Sequence, residues 1–434
     1  MGARRPYFQH VAVRGACGKT PVMAQNSVSM RVLLSTIGSR GDVQPLVALA
    51  SELRELGQEV RLCAPPDFRD WIETLGIPFV PIGPEVRPFA ISSPPVVRAR
   101  PSPEQMRQIA EATVATQFEV IPAAAEGCDI LVGGGALQIA LRSVAELREI
   151  PYVYASYCPI SLPSSHHAPP AWRGDSPPDG TADNSKLWAD DAQRWNDSWG
   201  VALNAHRASA GLAPVLDVRD YIFTDTPWLA ADPTLAPWPE TSDPNLIQTG
   251  AWILPDQRPL SAELETFLEA GEPPIYLGFG SIRTPQDLSQ NMIRATRALG
   301  RRAIVSRGWA DLPLLDDEPD CLSIGEANQQ ALFKRVAAVV HHGGAGTTTA
   351  AGRAGAPQVV IPQHYDQFYW AQRIAQLGIG SAHPPLVPTS DSLAAALRHT
   401  LQPDIAARAH SIAGAVHTDG AKVAAQRLIA ITRK

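Results

Sequence analysis

The sequence predicts an α/β protein built from two doubly wound parallel-sheet domains that face each other across a cleft. Three observations carry this expectation. Short apolar runs alternate with helical stretches through both halves of the chain, the pattern of repeated βαβ units. The runs are near-continuously apolar, as in Val336-Ala337-Ala338-Val339-Val340, which suits parallel strands buried on both faces. At 434 residues the chain is long enough for two domains, each with its own core.

In the first half, residues 31–35 read as a strand. Leu46, Leu49, Ala50, Leu53 and Leu56 follow as a helical stripe that Gly57 ends. Residues 59–63, 129–133 and 152–155 read as further strands, with a helix over about 137–147. The second half repeats the theme with strands at 275–279, 302–306, 322–324, 337–341 and 358–361. Residues 227–259 carry seven prolines and read as the connection. The expected organisation is an extension at 1–29, a first domain with its connection at 30–240, a second domain at 241–415, and a C-terminal helix at 416–434 that crosses back to the first domain. Residues 159–186 are too long and polar for an ordinary loop, so a functional or mobile segment is expected there.

Composition narrows the class. A net charge of −6 gives no electrostatic case for nucleic acid. The 45% hydrophobic content speaks for a folded enzyme rather than a disordered chain. Five scattered cysteines without C-x-x-C spacing suggest a reducing cytoplasm, with neither a disulfide framework nor a zinc site. No apolar run approaches the ~20 residues of a membrane span. Residues 1–29 are polar and basic, and Arg4-Arg5 has no apolar region behind it. A disordered extension, or a true start at Met30, are the two accounts of that segment.

The most informative stretch is His341-His342-Gly343-Gly344-Ala345-Gly346-Thr347, set between a strand and a run of small residues suited to a helix. Glycines let the backbone approach a ligand, and a helix start offers unpaired N–H groups and a positive dipole end. That arrangement binds phosphate. The chain has no G-x-x-x-x-G-K-[ST], and no strand is followed by G-x-G-x-x-G with an acidic residue beyond, so a P-loop NTPase and a classical dinucleotide enzyme are both disfavoured.

Met30-Arg-Val-Leu-Leu-Ser-Thr-Ile-Gly-Ser-Arg-Gly-Asp42-Val-Gln-Pro45, Gln248-Thr-Gly-Ala-Trp-Ile-Leu-Pro-Asp256, Tyr276-Leu-Gly-Phe-Gly-Ser281, Ser306-Arg-Gly-Trp309 and the His341 to Thr347 loop together resemble the GT-B-fold natural-product glycosyltransferases, most of all the vancomycin-group glycopeptide aglycone glycosyltransferases. The likeness runs from about Met30 to the C-terminus. It implies inverting transfer of a hexose, with glucose expected, from a UDP- or TDP-sugar to a hydroxyl of a hydrophobic or phenolic aglycone. It implies no cofactor and no metal; a monomer is expected.

The resemblance also implies site roles. Asp42 is the candidate general base, with an N-cap as its structural alternative. Helix-start N–H groups and Arg40 are expected to lower its pKa. Ser39 and Arg40 either position substrate or shape the turn. His342 and Thr347 are the first and last members of the pyrophosphate loop, with Gly344 and Gly346 admitting the phosphates; His341 is a ligand or a buried strand-end residue. Ser281 is a second phosphate donor or a turn residue. Asp366 and Gln367 match the pair that binds the donor sugar's hydroxyls. Residues 324–328 are expected to receive the base, and Trp309 either covers the nucleoside or belongs to the core. Asp316-Asp317-Glu318 reads as an exposed acidic loop rather than a metal site. Two other readings stand beside the transferase: a GT-B-fold sugar-nucleotide epimerase, and a non-catalytic helper of a partner transferase.

Overall fold

A computed structural model describes residues 29–88, 101–171, 183–240, 245–282, 284, 287–384 and 388–433. The extension expected at 1–29 therefore lies outside the described residues, apart from Ser29.

The first sheet comprises β1 (Arg31–Ser35), β2 (Glu59–Ala64), β3 (Phe79–Pro81), β4 (Ile130–Gly134), β5 (Tyr152–Ser156), β6 (Trp228–Leu229) and β7 (Ile247–Gln248). Its strands are all parallel and run in the order β3-β2-β1-β4-β5-β6-β7. The second sheet comprises β8 (Ile275–Gly278), β9 (Ala303–Ser306), β10 (Cys321–Ile324), β11 (Ala338–His341), β12 (Gln358–Val360) and β13 (Gly380–Ala382), again parallel, in the order β10-β9-β8-β11-β12-β13.

Strand alternation explains the layers. In β1, Val32 and Leu34 pack with the first helix, Arg40–Glu55, while Leu33 faces a separate core holding Ile121, Leu141 and Val144. In β8, Ile275 and Leu277 face one layer and Tyr276 the other. Both faces of each sheet are thus covered, as near-continuous apolar strands require. Strand order reverses between β1 and β4 in one domain and between β8 and β11 in the other. Each reversal opens a crevice at the carboxyl ends of the strands.

Four strands carried no readable periodicity. β3, β6, β7 and β13 have two or three residues each, and unlike the equally short β12 they do not follow a glycine-rich turn and helix that mark a βαβ unit. The proline-rich connection at 227–259 is therefore not only a linker. It contributes β6 and β7, which Ala230 N–H to Ser156 O (2.7 Å) and Thr249 N–H to Leu229 O (3.0 Å) hold in place. The first sheet thus extends beyond residue 240.

The last helix, Gly420–Thr432, packs Ala421, Ala424, Ala425 and Leu428 into the core that contains Leu46, Val47 and Ala50 of the first helix. Asp232, just after β6, accepts the His417 N–H at 2.8 Å and fixes the return of the chain. The crossing is tight: a Cβ on Gly420 would lie 2.4 Å from the Gly250 carbonyl carbon and 2.5 Å from Ala251 O, and Gly250 itself has φ +91°. Gly420→Ala is expected to destabilise the fold by about 1–3 kcal/mol, because backbone on both sides must move to admit one methyl. Thermal melting followed by circular dichroism checks this; an unchanged Tm would show that the crossing is looser than the contacts indicate.

Candidate active site

Asp42 lies directly above the β1/β4 reversal. Its neighbour Ser39 takes the N-cap position of the first helix, with β-region backbone, and Asp42 stands three residues further on. The Asp42 Oδ2 accepts the Ser39 N–H at 2.8 Å and the Ser39 hydroxyl at 3.3 Å. Asp42 is therefore not the N-cap. Its pKa is also not lowered: burial raises it to about 6, outweighing the Ser39 hydrogen bonds. Arg40 gives little relief because its guanidinium is engaged elsewhere. It lies 3.7 Å over the Trp71 ring and donates to Gln44 Oε1 at 3.0 Å and to Glu326 at 3.3 Å, a bridge between the domains.

The other carboxylate oxygen, Oδ1, faces Gly135 at the end of β4. A Cβ there would lie 3.2 Å from it, and Gly135 has φ +79°, so glycine keeps the space beside Asp42 open. This space belongs to a cavity of ≈160 Å³. Its walls include Tyr154, Tyr157, Trp188, Trp195, Phe223 and Tyr365, and three carboxylates, Asp42, Asp191 and Asp366, with no lysine, arginine or histidine among the described lining residues. The wall is firm: Tyr154 stacks on Phe223 at 4.6 Å and Trp195 meets Phe223 edge-on at 5.6 Å. Ser161 and Pro170 line it too, so the described part of the 159–186 segment borders the cavity; residues 172–182 lie outside the description.

Asp366 comes from the second domain, at the start of helix Gln367–Gln376. Its Oδ2 accepts Trp370 Nε1–H at 3.1 Å, and burial, with the Asp42 charge as a further cause, raises its pKa to about 6. Gln367 behaves differently. Its Oε1 accepts the N–H groups of Gln363 (2.8 Å) and His364 (3.2 Å), so its oxygen holds the loop and only the amide nitrogen is left uncommitted by those bonds.

The glycine-rich loop crosses the second reversal. Gly343 has φ +92°, and its Cβ would meet Val360 at 2.6 Å. Gly344 caps helix Ala345–Ala354 with the His342 ring over it, Nε2 lying 2.5 Å from where a Cβ would be. A Cβ on Gly346 would meet nothing within 4 Å, so the open ground lies outside the helix start. Thr347, half-buried, stands in the first turn of that helix. His342 is buried with its Nδ1 lacking any partner among the described residues, and burial pushes its pKa down to about 3. A neutral imidazole still carries one N–H to give.

His341 is structural. Its Nδ1 accepts the Gly343 N–H at 3.0 Å, which places the ring proton on Nε2, facing Gln358 Oε1 at 2.9 Å. Both ring nitrogens are thereby used. Ser281, half-buried, follows Gly280 at the end of β8, where a Gly280 Cβ would come within 3.4 Å of His342 Cε1, so the two loops adjoin. Trp309 stacks on Phe68 of the first domain with ring centroids 6.0 Å apart and packs against that domain's core; it is a domain contact rather than a free platform. Glu326 meets Arg40, and Asn328 Nδ2 donates to the carbonyls of Asp256 and Arg258, so part of the 324–328 stretch is spent on structure. The acidic run at 316–318 is tied to Arg297, which binds both Asp316 and Asp320 at 2.6–2.7 Å. Tyr365 and Asp191 are cavity residues that sequence patterning does not single out; no motif marks either.

Known structures with this architecture include the glycotransferase of kitacinnamycin, 19% identical, with a TM-score of 0.69 over 93% of this chain and 99% of the other; the fold is GT-B. The family 28 glycosyltransferase N-terminal domain matches residues 32–159, and the erythromycin biosynthesis protein CIII-like C-terminal domain matches residues 304–422. Four relatives come from Amycolatopsis orientalis, three of which are as follows. Glycosyltransferase GtfE is 54% identical over 92% of this chain and 97% of its own length. A vancomycin aglycone glucosyltransferase is 53% identical, over 93% and 98%. A dTDP-epi-vancosaminyltransferase is 47% identical, over 88% and 93%. The chain belongs to the vancomycin-group glycopeptide glycosyltransferases. No helix among the described residues is long and apolar enough to cross a membrane.

Proposed function

We propose that this glycosyltransferase moves a hexose, with glucose the expected sugar, from a UDP- or TDP-sugar to a phenolic hydroxyl of a glycopeptide-type aglycone, inverting the anomeric centre. One observation carries the reading: Asp42, a carboxylate with pKa about 6 and one oxygen uncommitted to the helix cap, opens into an aromatic-walled cavity that the second domain completes. A phenol is a weak nucleophile at neutral pH, so its proton must leave as the new bond forms. Asp42 Oδ1 takes that proton. The phenolic oxygen bonds to the anomeric carbon as the bond to the diphosphate breaks, and the electron pair departs with the diphosphate. The start of helix Ala345–Ala354, with His342, Thr347 and Ser281, receives the charge of the leaving group. Asp366 and the Gln367 amide nitrogen hold the sugar hydroxyls. No step needs a metal ion. The aromatic cavity favours an acceptor-using transferase over an epimerase, and the intact constellation favours an enzyme over a helper. Identity to the glucosyltransferase and the match of Asp366-Gln367 to a fully hydroxylated ring support glucose.

A panel of UDP- and TDP-sugars assayed against vancomycin aglycone, with and without EDTA, tests this by mass spectrometry, and the anomeric proton coupling of the product reports the stereochemistry. Absence of product, loss of activity in EDTA, or a retained anomer each overturns the corresponding part of the proposal.

The two raised carboxylates yield a pH prediction. Asp42 must be ionised to act, so kcat/KM is expected to fall as pH drops through about 6. The Asp42 charge is among the causes that raise Asp366, and by reciprocity a charge on Asp366 opposes ionisation of Asp42. Asp366→Asn removes one charge, makes ionisation of Asp42 easier, and is expected to move the acid limb to lower pH. A limb that stays in place would show that the carboxylates do not sense each other.

A further inference from the structure

Tyr365 is the one large side chain of the donor-side loop that reaches the cavity of the first domain. It lies between β12 and Asp366, and its backbone has φ +57°, a left-handed conformation that a bulky residue adopts only when its surroundings enforce it. The enforcement is visible. Gln367 Oε1 accepts the N–H groups of Gln363 and His364, and the Gln367 N–H returns to His364 O at 3.3 Å, closing the loop around Tyr365. The residue remains 46% exposed, so its ring is not consumed by core packing. It nevertheless borders the cavity together with Tyr154, Trp188 and Phe223 of the first domain and with both Asp42 and Asp366. Where the side chain enters the cavity, desolvation, and then the charges of Asp191, Asp366 and Asp42, raise the pKa of its phenol.

A strained aromatic held over a cavity of other aromatics, beside two carboxylates, has a specific use. Resting on the acceptor reading proposed above, we infer that Tyr365 is a specificity-determining residue for the acceptor: its ring closes the cavity from the donor side and packs on the aromatic ring that bears the reacting hydroxyl. The acceptor class this selects is a flat aryl alcohol rather than an aliphatic one, because aromatic faces gain from offset stacking or edge contact that a saturated ring cannot return. Because Tyr365 and Asp366 are consecutive, the loop that sets the acceptor ring also sets the donor-sugar carboxylate, and the reacting atoms are registered by one rigid turn.

Two variants test the assignment. Tyr365→Gly removes the ring and tolerates the left-handed backbone, so folding is preserved; Tyr365→Phe keeps the ring and removes the hydroxyl. Affinities for vancomycin aglycone and for UDP are measured separately by calorimetry, with Tm as the folding control and turnover of the wild-type enzyme as the reference. The expected result is a roughly tenfold or greater loss of aglycone affinity in Tyr365→Gly, a change of less than about threefold in Tyr365→Phe, UDP affinity within about twofold in both, and a Tm in Tyr365→Gly no lower than the wild type's. Unchanged aglycone affinity in Tyr365→Gly overturns the inference, and so does an equal loss of UDP affinity, which would place the ring in the donor site. If the wild-type enzyme transfers sugar to water but never to the aglycone, the acceptor reading itself falls; if it glycosylates the aglycone and the glycine variant binds it normally, only the role of Tyr365 falls.

Discussion

Asp42→Asn is expected to lower kcat by roughly 10²–10⁴ while leaving UDP affinity nearly unchanged. The asparagine keeps an acceptor for the Ser39 N–H, so the start of the first helix should survive and the loss should isolate the missing base. The same change is expected to stabilise the protein at alkaline pH. The carboxyl of Asp42 has a folded pKa of about 6 against an ordinary value of 3.8. Its favourable contribution is therefore complete below about pH 4 and is lost as pH rises through 6. Above that, the buried charge costs about 2–3 kcal/mol, which the neutral side chain escapes. Melting curves at pH 4.5 and pH 8 should show a Tm gain for the variant at pH 8 that shrinks on acidification. Near wild-type kcat would move the base elsewhere, with Asp366 the next candidate because it shares the cavity and the raised pKa. Lower activity combined with higher stability would identify Asp42 as a group kept for chemistry at the fold's expense.

His342→Ala should weaken UDP binding by roughly 10–100-fold, the effect of losing one hydrogen bond to a charged phosphate. The change should appear mainly in donor binding, because the proposed pyrophosphate contact would be made in substrate and product alike. The Nδ1 without a partner among the described residues and the position of the ring over Gly344 motivate this expectation. His341→Ala is the informative contrast. It would leave the Gly343 N–H and the Gln358 side-chain oxygen without their partner, so it should lower Tm by loosening the loop. Calorimetric titration of UDP into both variants separates the roles. UDP bound by His342→Ala as tightly as by the wild type would leave the phosphates to the helix start and Ser281.

The sequence by itself determined the architecture and the family. Runs such as 31–35 and 337–341 announce buried parallel strands because burial on both faces leaves no room for polar alternation. The turn from His341 to Thr347 announces itself because a tight strand-to-helix connection with a positive φ at Gly343 demands glycine, a local requirement written in local residues. Strands β6 and β7 were illegible, since two residues have no period and owe their pairing to neighbours far along the chain.

The tertiary structure decided which groups are available for chemistry and in what charge state. Two adjacent histidines look equivalent in the sequence. Yet side chains alternate along a strand, so His341 turns to Gln358 while His342 turns to the start of the next helix. Trp309 became a domain contact only because Phe68 lies opposite it, and Tyr365 became a cavity wall only because the domains face each other. The acidity of Asp42 was expected to follow from its local neighbours, the helix N–H groups and Arg40. It follows instead from burial, which residues on several distant strands and loops create together. Desolvation depends on everything that excludes water from a group, and no stretch of sequence around that group records it.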